Sequence, residues 1–497
     1  MGPLSMNDRP LRVLMISSEV ESLARTGGLG DVVAALSRAL AEAGKEVLVV
    51  TPLYGVTRLP PDIQRWPAPT PIRFGWGPHD VEHAGVVELE TTRFPSGGTL
   101  RTCLIDSPRL FGRAGIYGEN GRVFEDNPLR FAVMSRGALE ISARAWETGP
   151  DVLHAHDWHA AFAIVYAKLV MGPRWAKTAA VFTIHNLAFQ GVLDEADLDL
   201  LHLPREAYKP EILLHDQRVN LMKGATALAD RVTTVSPTYA REILTPQGGF
   251  GLDAHLRAHE DRLSGIVNGI DTALFDPSTD PHLAHRYDAT SLVQGRAACK
   301  RALAEEVGLE PGDGPLFGAV TRLTWQKGID LPLGALDAIV AEGGRVLIVG
   351  QGDHDLEQRL TTAAARFPGK VAVRIAFDPP LSRRVYSASD FFFVPSRFEP
   401  CGLTQLYAMR YGALPIVTDV GGLHDTVAPA HGDRGTGFVM PAPSVVALEA
   451  ACRHAFALYR DREAMVRVQV RAMAEDHSWR GPAQAYVDLY EKARATE

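Results

Sequence analysis

The feature that most constrains this chain is a repeated order of short apolar strands and helices joined by glycine-rich turns. The apolar run at residues 12–17 precedes a turn containing Gly27 and Gly28. Apolar side chains at helical spacing follow this turn: Val32, Val33, Leu36 and Leu40. Gly44 ends the helical pattern, and a second apolar run begins at Val47. A strand, turn, helix and strand in this order are typical of a parallel sheet in an α/β fold.

The same order recurs along the chain and starts again after its midpoint. Further strand-like runs lie at residues 47–50, 152–154, 180–183, 316–320, 346–349, 391–394 and 415–417. Two consecutive sets predict two doubly wound α/β domains that face each other across a cleft. We expect domains at residues 10–262 and 263–475, followed by a terminal segment at 476–497. A chain of 497 residues is also too long for one ordinary core.

Composition and charge exclude several classes of protein. The chain has 46% hydrophobic and 22% charged residues, which is ordinary for a globular protein. No apolar run reaches the roughly 18 residues that span a bilayer, so we expect no membrane partner. The N-terminus lacks the basic and apolar blocks of a signal peptide, which predicts a cytoplasmic protein. A net charge of −8 argues against nucleic acid as a partner.

The cysteines are far apart and form no CxxC pair, so we expect reduced, packed thiols: Cys103, Cys299, Cys401 and Cys452.

Two Gly-Gly-Leu sequences are more informative, one at residues 27–29 and one at 421–423. Either could be a tight turn that needs positive φ, or a place where amide N–H groups approach an anion. Since both lie where a strand meets a helix, we favour a shared anionic ligand.

Two loops of the second half carry charged candidates. Arg322 and Lys327 follow the strand that ends at Val320, where open α/β sheets bind ligands. Two cations there could neutralise a departing diphosphate, or the loop could simply be solvated. Glu399 follows the strand at 391–394, where it could bind sugar hydroxyls, stabilise a cationic sugar or act as a structural cap.

Histidines follow two strands of the first half. His154, His156, Asp157 and His159 could hold zinc, or Asp157 and a histidine could contact a sugar. We favour the sugar, because no distant Cys or Glu cluster would complete a metal shell. His185 could be a general base or a hydrogen-bond donor. We favour the donor role, because no second titratable partner is evident beside it.

Taken together, these residues identify a family. From about Arg12 to Trp479 the chain resembles bacterial glycogen synthases and the related plant starch synthases. The segments that carry the resemblance are residues 25–31, 154–160, 182–191, 267–271, 321–330, 395–407 and 421–426. The resemblance implies the GT-B fold, two Rossmann-like domains with the active site between them and a C-terminal helix that returns to the first domain.

The resemblance also implies an activity. It implies transfer of glucose from ADP-glucose to the non-reducing end of an α-1,4-glucan, with retained configuration, no metal and no cofactor. By resemblance, the diphosphate is held by Arg322 and Lys327, and glucose is contacted by Glu399, Asp157 and His185. The other implied donor contacts are Arg25, Gly27, Gly28, Asn268, Gly402, Leu403 and Thr404.

The chain departs from the family pattern at three positions. Arg25 replaces the usual lysine, which keeps the charge and changes its reach. Phe377, near the nucleotide, and Phe111, near the acceptor cleft, replace tyrosines and so lose a hydroxyl.

Three alternative functions stay open: a UDP-glucose-dependent GT-B enzyme, a metal-dependent hydrolase and an inactive glucan-binding protein. For the transfer itself, the hypothesis is front-face attack, in which the leaving phosphate takes the acceptor's proton.

Overall fold

The computed structural model describes residues 9–59, 63–67, 69–73, 81–119, 121–430 and 434–495. Their contacts divide the chain into two compact units. The first comprises Met1–Gly269 with Trp479–Glu497, and the second is Ile270–Ser478. Each unit has its own sheet and core, as the two sets of strand and helix patterns predict. In the described part of the chain, no helix is both long and apolar enough to cross a membrane.

The first unit is built on a large, mostly parallel sheet. The strands of this unit are β1 (Arg12–Ile16), β2 (Glu46–Pro52), β3 (Gln64–Arg65), β4 (Thr70–Arg73), β5 (Val81–Glu88), β6 (Thr92–Arg93), β7 (Thr99–Asp106), β8 (Gly118–Glu119), β9 (Arg122–Val123), β10 (Val152–His156), β11 (Ala179–Ile184), β12 (Val192–Leu193), β13 (Leu214–His215), β14 (Arg218–Asn220), β15 (Arg231–Thr234) and β16 (Leu263–Gly265). Strands β12, β13 and β14 form a separate small sheet, and β8 pairs with β9. Its helices up to residue 257 are α1 (Gly28–Glu42), α2 (Pro108–Phe111), α3 (Asn127–Ala145), α4 (Asp157–Leu169), α5 (Asp197–Leu200), α6 (Leu221–Leu228), α7 (Pro237–Glu242) and α8 (Asp253–Arg257).

The strand order in this sheet is β16-β15-β11-β10-β1-β2-β7-β5-β3. Strands from β16 to β7 are parallel, and β5 and β3 extend the sheet in antiparallel fashion. The chain reverses its direction of winding between β1 and β10. Open α/β sheets bind ligands at the carboxyl ends of the strands at such a switch point.

Strand residues of the first unit alternate between two cores. Leu14 and Ile16 point to the side covered by α3 and α4. Val13 and Met15 point to the other side, where they pack with the apolar stripe of α1. Because successive strand side chains point to opposite faces, a continuous apolar run such as β1 is buried on both sides.

The second unit has a purely parallel sheet among its described strands. These are β17 (Leu316–Val320), β18 (Arg345–Gly350), β19 (Val371–Ile375), β20 (Phe391–Val394), β21 (Leu414–Thr418) and β22 (Phe438–Met440). Its helices are α9 (Leu292–Val307), α10 (Asp330–Gly334), α11 (Leu336–Ala341), α12 (His354–Arg366), α13 (Pro379–Ala388), α14 (Thr404–Arg410), α15 (Gly421–Thr426), α16 (Val445–Arg460) and α17 (Arg462–Ala474). The order β19-β18-β17-β20-β21-β22 is that of a Rossmann sheet, with its switch point between β17 and β20.

The last helix, α18 (Arg480–Arg494), belongs to the first unit. Its residues Tyr486 and Tyr490 are buried in the core that α1 and one face of β1 also line. The helix therefore completes the layer on that face of the first sheet.

The predicted elements are confirmed at the positions that matter for the site. The helix predicted after the first Gly-Gly turn is α1, and Gly44, which follows it, has φ of +82°. The strands predicted at residues 316–320 and 391–394 are β17 and β20.

Candidate active site

Two loops of the second unit meet at its switch point. Residues 321–328 follow β17, and residues 395–403 follow β20. The amide of Arg397 donates to the carbonyl of Gln326 at 2.8 Å, and the side-chain amide of Gln326 donates to the carbonyl of Phe398 at 3.2 Å. These bonds hold both loops in one arrangement at the edge where the topology predicts a ligand.

The central contact in this unit is between Lys327 and Glu399. Nζ of Lys327 lies 2.6 Å from Oε2 of Glu399, and the hydroxyl of Ser396 donates to the same oxygen at 2.9 Å. Glu399 is only 5% exposed. A carboxylate in such a position must be paired, because burying an unpaired charge is costly. The pair keeps one anionic and one cationic group fixed on facing loops.

A second ion pair joins the loop after β20 to the start of α10. The guanidinium of Arg397 makes two bonds to the Asp330 carboxylate, at 2.8 and 2.7 Å, and lies 4.8 Å from the ring centroid of Trp325. Arg322, by contrast, is exposed and forms no ion pair within the described residues. An exposed guanidinium is compatible with the predicted contact to an anionic ligand, which stays a prediction.

Glycine is required at two close approaches in this site. Gly328 has φ of +66°, and a Cβ there would collide with the carbonyl oxygen of Pro395. Gly422, in the second Gly-Gly turn, has no room for a side chain because the backbone of Cys401 packs against it. Its amide donates to the carbonyl of Glu399 at 3.0 Å. This turn therefore supports the Glu399 loop directly.

The remaining predicted donor residues of this unit lie around these loops. Gly402 has φ of +75°, Leu403 precedes α14 and Thr404 begins it. Phe377 lies in the segment between β19 and α13, and its side chain is 63% exposed. An exposed phenyl ring at the carboxyl edge of the sheet can stack on a planar ligand.

In the first unit, the first Gly-Gly turn already contacts a carboxylate. Oε2 of Glu19 accepts hydrogen bonds from the amides of Thr26 and Gly27 at 2.6 and 3.1 Å. Its Oε1 accepts from the hydroxyls of Thr26 and Tyr117 at 2.9 and 2.6 Å. The amides of this turn thus bind an anionic side chain of the same unit, and the shared anionic ligand expected for both Gly-Gly turns stays a prediction.

Gly28 begins α1, and the charged residues beside it form a pair. Arg25 is hydrogen-bonded to Asp31 in the first turn of the helix. Burial raises the pKa of Asp31 to about 6, although the positive charge of Arg25 acts in the opposite direction. Arg25 is therefore held over the start of the helix, close to the turn.

Asp157 lies directly after β10, at the switch point of the first sheet. Its backbone is left-handed, with φ of +57°, which costs energy for a residue with a Cβ. Its Oδ1 accepts the amide of His185 at 2.7 Å and that of Asn186 at 3.3 Å. Burial raises the pKa of Asp157 to about 7, and these two bonds oppose that rise. Asp157 thus joins the ends of β10 and β11.

His185 has a partner that the sequence did not reveal. Nδ1 of His156 lies 2.9 Å from Nε2 of His185. The expectation that no second titratable group lies beside His185 is therefore wrong. The two histidines are 29 residues apart, and only the pairing of β10 with β11 brings them together.

Two residues of the first unit that the sequence predicts to contact a ligand are buried in the structure. Phe111 is 0% exposed and packs edge-on against Tyr54, with ring centroids 5.8 Å apart. In this structure it belongs to the core. Asn268 is also buried, and its Oδ1 has no hydrogen-bond partner within the described residues.

The histidine cluster does not have the form of a metal site. Both ring nitrogens of His154 are engaged, Nδ1 with the hydroxyl of Tyr490 at 2.8 Å and Nε2 with that of Thr183 at 2.6 Å. Across the described residues, no group of three or more His, Cys, Asp or Glu side chains is arranged to hold a metal ion.

Comparison with known proteins identifies the family. Residues 12–258 match the starch synthase catalytic domain, and residues 301–468 match the glycosyl transferases of group 1. A glycogen synthase of Anaeromyxobacter dehalogenans is 44% identical over 494 residues, covering 97% of this chain and 99% of that protein. A glycogen synthase of Halorhodospira halophila is 42% identical and covers 98% of this chain and 100% of its own length. The chain belongs to the glycogen synthase family.

Solved structures agree with membership of the glycogen synthase family. The catalytic domain of starch synthase IV from Arabidopsis thaliana, bound to ADP and acarbose, is 32% identical with a TM-score of 0.89. The match covers 98% of this chain and 100% of that one. A sucrose-phosphate synthase of Thermosynechococcus elongatus shares the fold at 18% identity and a TM-score of 0.60. The predicted GT-B fold class and the prediction of a glycosyltransferase are confirmed.

Membership of the glycogen synthase family does not by itself assign the site residues, and their roles stay predictions. The structure brings Lys327 and Glu399 together in the second unit, and Asp157 and His185 in the first. Sequence reasoning did not single out Glu19, and it did not predict that His156 bonds to His185. His156 was visible only as part of a histidine-rich segment, and no motif singled out Glu19.

Proposed function

We propose that this glycogen synthase family member transfers glucose from ADP-glucose to the non-reducing end of an α-1,4-glucan with retention of configuration. The observation that carries the proposal is the part-buried Lys327–Glu399 pair, with the exposed Arg322 on the same loop as Lys327. These residues lie at the switch point of a Rossmann sheet, where nucleotide ligands bind.

The cations explain departure of the diphosphate. Arg322 provides an exposed guanidinium, and Lys327 an ammonium fixed by Glu399 at 2.6 Å. As the bond from the sugar to the diphosphate breaks, negative charge grows on the phosphate oxygens, and fixed cations stabilise it without rearrangement. Lys327 can share its donors between Glu399 and a phosphate, because an ammonium has three.

Glu399 and the first-unit residues are proposed to act on the glucose. The Glu399 carboxylate accepts from Lys327 and Ser396 at one oxygen, which leaves acceptor capacity for sugar hydroxyls. Asp157 and His185 are proposed to contact the same sugar. The prediction that donor contacts come from both halves of the chain stays a prediction.

Retention requires either a covalent glucosyl-enzyme or attack from the leaving-group side. We propose the second route, in which the acceptor hydroxyl attacks on the face that the diphosphate leaves. The leaving phosphate oxygen accepts the proton of that hydroxyl, the new glycosidic bond forms and ADP departs. Glu399 then stabilises positive charge on the sugar and forms no covalent bond to it. Metal independence and the cytoplasmic location remain predictions within this proposal.

The test is incorporation of glucose into glycogen from ADP-glucose and from UDP-glucose, measured side by side, with and without a strong chelator. The proposal expects faster incorporation from ADP-glucose and the same rate after chelation. A preference for UDP-glucose would favour the other GT-B enzyme. A chelator-sensitive hydrolysis without transfer would favour the hydrolase, and absence of turnover would favour a glucan-binding protein.

A further inference from the structure

The hydrogen bond between His156 and His185 decides which nitrogen of His185 carries its proton. Burial lowers the pKa of both imidazoles, that of His185 to about 3, so both rings are neutral near pH 7. A neutral imidazole has one N–H and one lone pair. Of the two nitrogens that lie 2.9 Å apart, one therefore donates and the other accepts.

The other nitrogen of His156 distinguishes the two directions. His156 is 0% exposed, and its Nε2 has no hydrogen-bond partner within the described residues. If Nδ1 of His156 were the acceptor, the proton of His156 would lie on its Nε2, and this buried N–H would have no partner. Buried N–H groups without a partner are rare in folded proteins. If the proton lies on Nδ1 of His156 instead, Nε2 carries only a lone pair, and no buried N–H is left unpaired.

The neighbouring His154 does not supply a partner for the second nitrogen of His156. His154 lies on the same face of β10, and the two ring centroids are 4.1 Å apart. His154 offers no nitrogen to His156, because Tyr490 and Thr183 occupy both of its own. Nδ1 of His156 therefore bonds to His185 and not to His154.

We propose that His156 is a positioning residue that donates from Nδ1 to Nε2 of His185 and so keeps the His185 proton on Nδ1. The inference rests on the proposed function, in which His185 contacts the donor's glucose. In this tautomer the second nitrogen of His185 is an N–H donor suited to a hydroxyl or phosphate oxygen of a sugar nucleotide. His185 then orients the substrate and does not act as a general base, which resolves the two roles that the sequence left open.

The tautomer can be read directly by nuclear magnetic resonance. The full-length chain is labelled with ¹⁵N-histidine, and long-range ¹H–¹⁵N correlations report which ring nitrogen carries the proton. The His185 signals are identified by their loss in His185→Asn. We expect the wild-type protein to hold His185 as the Nδ1–H form. An Nε2–H form in the wild-type protein would overturn the inference, and this reading needs no variant of His156 to fold.

Two substitutions separate positioning from packing. His156→Asn places an amide N–H near the position of Nδ1 and should keep the Nδ1–H form of His185. His156→Leu fills the space without a donor, so no hydrogen bond would fix the His185 proton on Nδ1, and both tautomers of His185 should be populated. With ADP-glucose, kcat should fall by about tenfold in His156→Leu and recover most of that loss in His156→Asn, the size expected for one hydrogen bond.

The two hypotheses fail in different ways. If His156→Leu and His156→Asn leave the same His185 tautomer and the same kcat, the positioning role is wrong even though the enzyme works. If the wild-type protein uses no ADP-glucose, the proposed function is wrong, and the tautomer in the free protein still decides the present inference.

Discussion

Half-buried Lys327 and buried Glu399 form an ion pair, 2.6 Å from Nζ to Oε2, between the loops that follow β17 and β20. The pair joins the group proposed to hold the diphosphate to the group proposed to stabilise the sugar. Each loop follows a strand at the switch point of the sheet, so the fold itself places both charges at the binding edge.

Replacing Glu399 tests its role in the reaction. Glu399→Gln keeps the shape and removes the negative charge, so kcat should fall by about 10²–10³-fold, as for other groups that stabilise transition-state charge. Mass spectrometry during turnover should detect no glucosyl-enzyme. A trapped covalent glucose on the wild-type protein would contradict front-face attack.

Arg322→Gln tests the exposed cation. Because Arg322 has no ion-pair partner within the described residues, its loss should leave the melting temperature nearly unchanged. The kcat/KM for ADP-glucose should fall by about 100-fold, since charge on the leaving diphosphate would lose one stabilising partner. Arg467→Gln, an exposed arginine of α17, is the matched control and should behave like the wild-type protein. Equal losses in both variants would refute the assignment.

The raised pKa of Asp157 predicts that both kcat/KM and the melting temperature depend on pH. Burial raises its pKa from the ordinary value of 3.8 to about 7, so the native protein favours the protonated form below neutral pH. If the carboxylate contacts the sugar, kcat/KM should rise with pH through about 7, and Asp157→Asn should lose this limb. The raised pKa also means that ionisation in the native state costs stability. The melting temperature of the wild-type protein relative to Asp157→Asn should therefore fall from pH 5 to pH 8. A constant difference would contradict the raised pKa.

Glu19 predicts a structural effect on the first Gly-Gly turn. Glu19→Ala removes the acceptor of two amides and two hydroxyls, which should destabilise the protein by about 1–3 kcal/mol and raise the KM for ADP-glucose. Thermal unfolding and initial rates measure both effects. Glu42→Ala, an exposed glutamate of α1 paired with Arg38, is the control. An increase in KM without any loss of stability would instead indicate that Glu19 contacts the substrate.

Substitution of Tyr490 tests the hydrogen bond that joins α18 to β10. Tyr490→Phe removes the hydroxyl that bonds to Nδ1 of buried His154, so the melting temperature should fall by an amount equivalent to about 1–3 kcal/mol. Tyr208→Phe removes an exposed hydroxyl bond to the carbonyl of Gln217 and should have little effect. If both variants melt alike, the buried bond contributes nothing measurable.

Most of the fold and part of the site could be predicted from the sequence. Short apolar runs and glycine turns have local causes, so β1, α1, β17 and β20 were predictable. Arg322 and Glu399 could be placed at the binding edge because each directly follows one of those strands. The ion pair of Lys327 with Glu399 was not predictable, since it joins loops 72 residues apart.

The missed contacts share a physical reason. Glu19 and Tyr117 meet across 98 residues, and their contact depends on loop conformations that no periodicity encodes. The His156–His185 bond requires the register of β10 against β11. The burial of Phe111 was also not predictable, because an apolar side chain near an expected binding segment can equally belong to the core.

The most direct test of the whole account is the structure of the product. Purified protein is given ADP-glucose labelled with ¹⁴C in the glucose and a maltooligosaccharide acceptor, and the product is digested with β-amylase, which cuts α-1,4 bonds from the non-reducing end. The account predicts a chain one glucose longer whose label is released as maltose. Label that resists digestion, stays at the reducing end or appears only as free glucose would contradict it.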